Sequence, residues 1–579
     1  MQNLFISKRK FFLFFICSFL FTYLLFFYKI YLYKSIIIPY TIKPYDICIT
    51  YPKLWIIIKL YSIFIFIFSK IIIFNNVYLK INSENNNNNN YNNNNNNNNI
   101  EVNNLNTNEL NLLVGYNYNN KNKIYLTEKS LFQNILITGT IGSGKTSSAI
   151  YPFLEQLISF ENNNINKKLG MLILDVKGNM FFQVKEYVKK YNREKDLIVI
   201  SLFSGEKYNP IYKPNISPIV LANRLKTILT LFSPNSSENY WLDKVEQILT
   251  ECIKFCRIYN NGYVTFKEIH ELISSNKYYK NKIIKIKKLF LKGKLNNIQI
   301  YDILSSINFL ENEYFSLDLR TFNILKSEIT RITNVFISDY NILNTFSSPK
   351  KELSFKNFNE VFNKGKIVVL SMNIFEYKNL AKIIATYLKL DFQTEVMTRL
   401  KNNKKNLRTV CFISDEFHEY VTTTDADFFS QSREAKCINI VSTQSYSSIL
   451  NTIHDESASK VIIQNLVNKL WFRTDDIFTI ENAQKQIGKE DKKKISKSIS
   501  ENSNETNYNF ISNSFLSKKS NISESISTQI QNDYIFDFNF FTQNLETFSC
   551  LSFLSNGNQI LPPTKLKMIP FFEKGGFNE

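Results

Sequence analysis

The sequence predicts an α/β fold: a mostly parallel sheet covered by helices, interrupted by an inserted all-α domain and preceded by an N-terminal two-helix membrane anchor. Three observations carry this. Beyond position 112, short apolar runs of strand type alternate with runs of helical spacing, as a parallel sheet with crossover helices requires. The string Gly139-Thr140-Ile141-Gly142-Ser143-Gly144-Lys145-Thr146 stands where one such run, 134–138, gives way to helical apolar spacing through Ile150, Phe153, Leu154 and Leu157. Two long apolar stretches lie within the first 80 residues.

Taken in chain order, Phe11 to Tyr28 is nearly unbroken apolar sequence, and Leu54 to Phe74 is interrupted only by Lys59, Ser62, Ser69 and Lys70. Both suit membrane-spanning helices, since the two lysines lie near the ends of the second stretch and can snorkel. They define an anchor over 1–80. A cleaved leader is the competing reading of the first stretch, but no small-residue cleavage site follows it. Lysines flank the first span on both sides, so charge bias sets no orientation. Nucleotide supply does: a phosphate-binding loop needs cytosolic ATP, which places both termini in the cytosol and 29–53 outside, in a multi-pass protein of the cell inner (plasma) membrane. The segment 81–112 is almost wholly asparagine between 82 and 99; it cannot bury enough apolar surface to order itself and reads as a solvated linker.

The first part of the nucleotide-binding domain spans 113–264. Only 14 residues of 579 are glycine, yet Gly139, Gly142 and Gly144 fall within six positions. Such a loop works where a buried strand turns sharply into a helix. Backbone N–H groups of 139–146 then cradle phosphates, Lys145 reaches the β and γ oxygens, and the Thr146 hydroxyl holds Mg2+. Strands are expected at 134–138, Met171 to Asp175, Leu197 to Ser201, Lys366 to Met372, Thr409 to Asp415, Ile438 to Gln444 and Lys469 to Arg473. Strand signals fade over 265–345, and the amphipathic pattern from Ile300 to Phe336 predicts the inserted all-α domain there. The second part of the nucleotide-binding domain, 346–579, carries a polar insertion at 489–533, rich in Ser, Asn and Lys with few apolar positions; it reads as a mobile surface segment, with a DNA-touching loop as the alternative.

The second half of a nucleotide site is a hydrophobic strand ending in an acid, and two segments compete: Leu172-Ile173-Leu174-Asp175 and Cys411-Phe412-Ile413-Ser414-Asp415-Glu416. A hydrolase needs one carboxylate for the magnesium shell and another for the attacking water, and only the second segment supplies both. Asp415 is assigned to the metal and Glu416 to water activation. Asp175 shapes the site, unless it simply caps the following helix. Gln444, ending a strand, is a candidate to sense the γ-phosphate or hold the water, with a plain strand-end amide as the alternative. Only 10 of the 70 basic residues are arginine, so Arg433 and Arg473 beside these strands suggest planar contact with phosphate or carboxylate, against the alternative of ordinary salt bridges.

Composition excludes other classes. The net charge of +20 divides into +9 for residues 1–80 (10 basic, one acidic) and +11 for the rest (60 basic, 49 acidic), a modest excess that permits DNA binding without demanding it. The seven cysteines are scattered and form no disulfide framework; Cys252 and Cys256 stand one helical turn apart, without a second pair, and read as a packed helix face rather than a metal site. The three histidines, His270, His418 and His454, form no protease zinc motif.

The ordered set GTIGSGKT, LILDVKG, Tyr208-Asn209-Pro210, a helical insertion, GKIVVLSM, the SDEF acidic pair and QSREAKCINIVSTQS resembles the coupling proteins of type IV secretion systems. These are conjugative DNA-transfer ATPases of the FtsK–HerA group within the RecA-like P-loop fold. The resemblance covers roughly 113–570; Val176 departs from the family's usual DPKG-type turn. It implies a homo-hexamer with ATP between subunits, single-stranded DNA or a relaxase–DNA complex as cargo, and channel components as partners. On this chain it implies that Lys145 and Thr146 bind nucleotide and magnesium, Asp415 and Glu416 drive hydrolysis, Gln444 relays the γ-phosphate state, and Arg433 is the finger supplied to the neighbouring subunit. The competing expectations are an ATP-dependent docking platform for protein effectors and an FtsK-like chromosomal translocase, for which the tail from Leu561 to Glu579 is too short to hold a winged-helix DNA reader.

Overall fold

The computed structural model describes residues 109–573, apart from 176, 203–205, 233–238, 378, 402–406, 503–507, 510–513 and 516–520. All belong to one compact unit, Asn106–Glu579. The apolar stretches 11–28 and 54–74 and the asparagine tract lie outside the described residues, among which no helix is long and apolar enough to cross a membrane.

The strands, in chain order, are β1 (Asn111–Asn117), β2 (Lys123–Thr127), β3 (Ile135–Thr138), β4 (Gly170–Asp175), β5 (Leu197–Ile200), β6 (Ile367–Ser371), β7 (Val410–Ser414), β8 (Cys437–Thr443), β9 (Asn468–Phe472), β10 (Lys489–Asn502), β11 (Tyr508–Asn509), β12 (Ser514–Phe515), β13 (Asn521–Tyr534), β14 (Ser549–Phe553) and β15 (Thr564–Lys567). Eleven of them make one sheet in the order β2-β1-β15-β14-β9-β3-β8-β7-β4-β6-β5. From β9 to β5 every pairing is parallel. From β14 to β2 every pairing is antiparallel. The seven parallel strands match the seven expected from sequence. Both of their faces are covered, so each reads as a continuous apolar run. The antiparallel edge escaped sequence reading because strands such as Thr-Lys-Leu-Lys alternate polar and apolar residues over only a few positions.

Alternation within the central strands divides the interior in two. Ile135 and Ile137 of β3 pack with Ile173 of β4 and Ile413 of β7 beneath Phe153, Leu154 and Leu157 of helix Tyr151–Ser159 and Val184 and Val188 of helix Met180–Lys190. Leu136, Leu172 and Phe412 point the other way, into a larger core shared with helix Asn379–Lys401 and the all-α layer. That layer comprises the helices between β5 and β6, and it begins at Pro218, ahead of position 265. Cys252 and Cys256 are fully buried in the same core as Phe266 and Ile269, so packing runs without a break across 265, where Thr265 opens helix Phe266–Ser274 with a capping box to Glu268.

The polar insertion, expected as a mobile surface segment, carries regular strand pairing. β10 and β13 pair residue for residue along their full length as a two-stranded ribbon. The register puts Ile495, Ile526 and Ile530 on one face and hydroxyl pairs on the other, where Ser496 Oγ and Ser527 Oγ, like Ser498 Oγ and Ser525 Oγ, lie 2.6 Å apart. Few apolar residues suffice for a strand pattern when they fall at alternate positions, which a count of composition conceals.

Candidate functional site

Because β3, β8, β7 and β4 are neighbours in parallel register, their carboxyl ends open on the same sheet edge. β8 stands between β3 and β7. The loop after β3 and the acids after β7 therefore flank one strand end. The loop is fastened to the strands on either side of β3: Gly139 N–H donates to the Gln444 carbonyl after β8 at 3.2 Å, and Thr140 N–H donates to the Arg473 carbonyl after β9 at 2.8 Å. Two glycines are compulsory. A Cβ at Gly139 would come within 2.6 Å of Phe472 Cβ, and one at Gly144, where φ is +97°, within 2.5 Å of Phe548 Cδ1. The chain then enters a wide π-type turn, Thr146–Ile150, that continues into helix Tyr151–Ser159.

A cleft of about 390 Å³ follows this edge, lined by the loop together with Asp175, Lys177, Asp415, Glu416 and Phe548. Lys145 is only 6% exposed. It donates to the carbonyls of Gly139 at 2.5 Å and Thr140 at 3.2 Å. Burial lowers its pKa, opposed by the charges of Glu416 and Asp415. Thr146 Oγ1 donates to Asp415 Oδ2 at 3.0 Å. Asp415 Oδ1 accepts from the Ser442 hydroxyl on β8 and from Glu416 N–H at 3.1 Å. Glu416 sits at φ 47°, ψ 49°, a left-handed conformation costly for a non-glycine residue and held where a structure over-determines it. The hydroxyl of Tyr420 donates to the Asp415 carbonyl at 2.7 Å and helps fix this turn. Glu416 Oε1 accepts from Lys177 Nζ at 3.0 Å, whereas its buried Oε2 has no hydrogen-bond partner. Burial lowers the pKa of Lys177, but the charges of Asp415 and Glu416 outweigh it and hold the ammonium above its ordinary value. His418 is pushed down by burial despite the nearby Glu416 and Glu419, so the imidazole is neutral at neutral pH.

Asp175 is occupied differently. Its Oδ1 accepts from Lys177 N–H at 2.9 Å and its Oδ2 from Met180 N–H at 2.8 Å, which starts helix Met180–Lys190. Burial raises its carboxyl pKa against those two backbone donors. Gln444 contributes its carbonyl to Gly139, and its side chain is not among the groups lining the cleft. Arg433 lies exposed in the turn before β8, at the amino edge of the sheet. Seven strand residues at about 3.3 Å each put it roughly 20 Å or more from its own chain's loop. Arg473 is exposed at the carboxyl end of β9, beside the loop.

These residues suit a magnesium–triphosphate. The Thr146 and Asp415 oxygens converge, a buried carboxylate oxygen of Glu416 lacks a hydrogen-bond partner, and Lys145 lies over the loop carbonyls. Among the described residues no group of three or more His, Cys, Asp or Glu forms a metal cluster of its own. Mg2+ takes only one or two protein oxygens when phosphate supplies the rest, and Thr146 and Asp415 offer that number. Sequence reading missed Ser442, the pairing of Lys177 with Glu416, and Phe548. A serine two residues before Gln444 on the intervening strand was the available signal for the first; the other two arise from tertiary contact.

The sheet and this edge have the α/β architecture and the loop geometry of the P-loop class. The family model described as the type IV secretion-system coupling protein DNA-binding domain matches residues 324–533. The solved bacterial conjugative coupling protein TrwBdeltaN70, unbound, superposes with a TM-score of 0.51 at 11% identity, covering 77% of this chain and 87% of that one. The plasmid coupling protein TrwB in complex with the non-hydrolysable GTP analogue GDPNP does so with a TM-score of 0.50, again at 11% identity and over 77% and 87% of the two chains. No curated protein sequence matches significantly. Over 324–533 the chain is thus similar to that coupling-protein domain, and it shares the fold of the solved coupling proteins.

Proposed function

We propose that the protein is the ATP-driven motor of a type IV secretion or conjugation channel, hydrolysing ATP to move DNA, alone or with bound protein, into that channel. The observation that carries this is the 3.0 Å contact between Thr146 Oγ1 and Asp415 Oδ2, with Glu416 beside it. It brings two halves of a nucleotide site together from positions 269 residues apart. Magnesium bound there neutralises phosphate charge. Thr146 and Asp415 hold it, Lys145 swings from the loop carbonyls to the β and γ oxygens, and the loop N–H groups orient the phosphates. Glu416 Oε2 takes a proton from water as its oxygen attacks the γ-phosphorus and the bond to the β-phosphate oxygen breaks, giving ADP and phosphate. Lys177 holds the other carboxylate oxygen and so orients the base.

Arg433, at the far edge of its own sheet, is assigned to the ATP of a neighbouring subunit in a homo-hexamer, and Gln444 to relaying the γ-phosphate state to β8. The segment 1–80 is assigned to a two-span anchor in the inner membrane with the motor in the cytosol. A second reading, an effector-docking platform, is favoured by one feature: Ile298, Tyr301 and Leu304 are 73%, 74% and 60% exposed along one helix of the all-α layer.

The test is ATP turnover by residues 106–579 with and without single-stranded DNA. Stimulation by DNA is expected. Turnover indifferent to DNA selects the docking platform, and no turnover in either condition overturns the motor.

A further inference from the structure

One wall of the cleft is aromatic, and the phosphate chemistry makes no use of it. Thr547 and Phe548 line the cleft together with Gly144 and Ser147. Phe548 sits at φ 61°, in the left-handed region that a bulky side chain adopts rarely. Its N–H donates to the Ser143 carbonyl at 3.2 Å and its carbonyl accepts from Met568 N–H at 2.7 Å, so the residue is pinned between the phosphate loop and the C-terminal strand. The segment after that strand returns to the same place. Phe571 N–H donates to the Ser147 carbonyl at 2.9 Å, and its ring stands edge-on to Tyr151 with centroids 5.0 Å apart. Phe572 completes the group, 5.9 Å from Phe548 and 5.5 Å from Phe571 between centroids, yet its side chain remains 56% exposed.

Direction along the cleft identifies what this wall faces. Lys145, Asp415 and Glu416 mark the γ-phosphate end. Ser147, one residue past Thr146, marks the end where a bound nucleotide's sugar and base leave the loop. The strained Phe548 lines the cleft beside Ser147, and the exposed Phe572 packs against it. Among the described residues lining the cleft there, Ser147, Tyr151 and Thr547 present hydroxyls, which can turn to donate or accept and so suit either a 6-amino or a 6-oxo purine, the Ser147 hydroxyl donating to the Gly144 carbonyl at 3.2 Å.

We infer that Phe548, Phe571 and Phe572 seat the nucleotide's purine base, holding it by stacking rather than by hydrogen-bond readout, so that ATP and GTP are accepted alike. The inference rests on the nucleotide reading above and extends it from the phosphates to the base. It also makes the C-terminal segment part of the nucleotide site, since Phe571 N–H is bonded to the Ser147 carbonyl in the first turn after the loop and Met568 N–H to Phe548, which itself donates to the loop at Ser143.

The experiment uses the full chain with magnesium and measures the affinities of ATP, GTP and inorganic tripolyphosphate in wild type, Phe572→Ala and Phe572→Trp. Phe572 is exposed, so its truncation leaves the core intact. Removing one stacking ring is expected to weaken ATP and GTP about tenfold each. Tripolyphosphate binding should stay within about twofold, since it has no base to stack. Phe572→Trp should restore affinity, with tryptophan fluorescence quenched by ATP and not by tripolyphosphate. Equal losses for ATP and tripolyphosphate, or no loss for either, overturn the base seat while leaving the phosphate site standing. A wild-type preference between ATP and GTP above about tenfold overturns stacking without readout. Failure of wild type to bind all three overturns the nucleotide reading, and the base seat with it.

Discussion

Strands β4 and β7 lie side by side and each ends in a buried aspartate, Asp175 at 4% and Asp415 at 1% exposure, yet the two ends are used in opposite ways. Both oxygens of Asp175 are taken by backbone N–H groups of the turn and helix that follow. Asp415 accepts from two hydroxyls, Thr146 and Ser442, and one backbone N–H. Hydroxyls can turn away toward a metal or phosphate when one binds, whereas backbone donors cannot leave without unwinding a helix. An acid at a strand end is therefore functional or structural according to which donors already fill its lone pairs, and β7 adds Glu416 with a free oxygen where β4 adds nothing comparable.

That contrast can be broken by substitution. Glu416→Gln is expected to cut ATP turnover about a thousandfold while nucleotide affinity changes little, because it removes the proton acceptor and keeps the shape. Near-normal turnover in this variant would show that the base lies elsewhere. Lys145→Ala should weaken ATP binding on the order of a hundredfold, read by equilibrium titration with a fluorescent nucleotide; the loop keeps its backbone donors but loses its charge. Asp415→Asn should raise the magnesium concentration for half-maximal turnover about tenfold or more, and Asp175→Asn should leave that midpoint where it is. If both variants moved it equally, the two strand ends would not differ as described.

The smallest effect belongs to stability. Asp175→Asn replaces one acceptor of a helix-start contact with a donor and should cost about 1 kcal/mol in denaturant unfolding of residues 106–579. Its pH dependence has a definite sign. Burial raises the Asp175 carboxyl above its ordinary 3.8, so the folded state holds the proton to higher pH than the unfolded chain. The stability from this group is thus fully present below about 3.8 and is lost as pH rises through the folded value. Relative to wild type, the asparagine variant should lose its disadvantage as pH rises through that window. A difference that widened instead would mean Asp175 is stabilised as the carboxylate, like a metal ligand.

Legibility followed the range of the interactions. The loop 139–146 was readable because three glycines, a lysine and a threonine serve one local backbone shape. The parallel strands were readable because burial on both faces leaves unbroken apolar runs such as Ile-Val-Val-Leu in β6. The ribbon β10–β13 was not, since its few isoleucines matter through register with a partner strand some thirty residues away. Arg433 shows the same limit. Sequence placed it just before a strand of the site, but only the parallel register of β8 with β3 and β7 shows that the amino end of that strand stands on the opposite edge from its own loop.

By itself, the sequence determined that this chain builds a parallel α/β core around a phosphate-binding loop, because glycine spacing and apolar periodicity act within a few residues of backbone. Only the tertiary structure decided that Ser442 on the intervening strand holds Asp415, that Lys177 pairs with Glu416, and that a C-terminal phenylalanine closes over Gly144. Those outcomes depend on which strand lies next to which, and that is set by packing across the whole sheet.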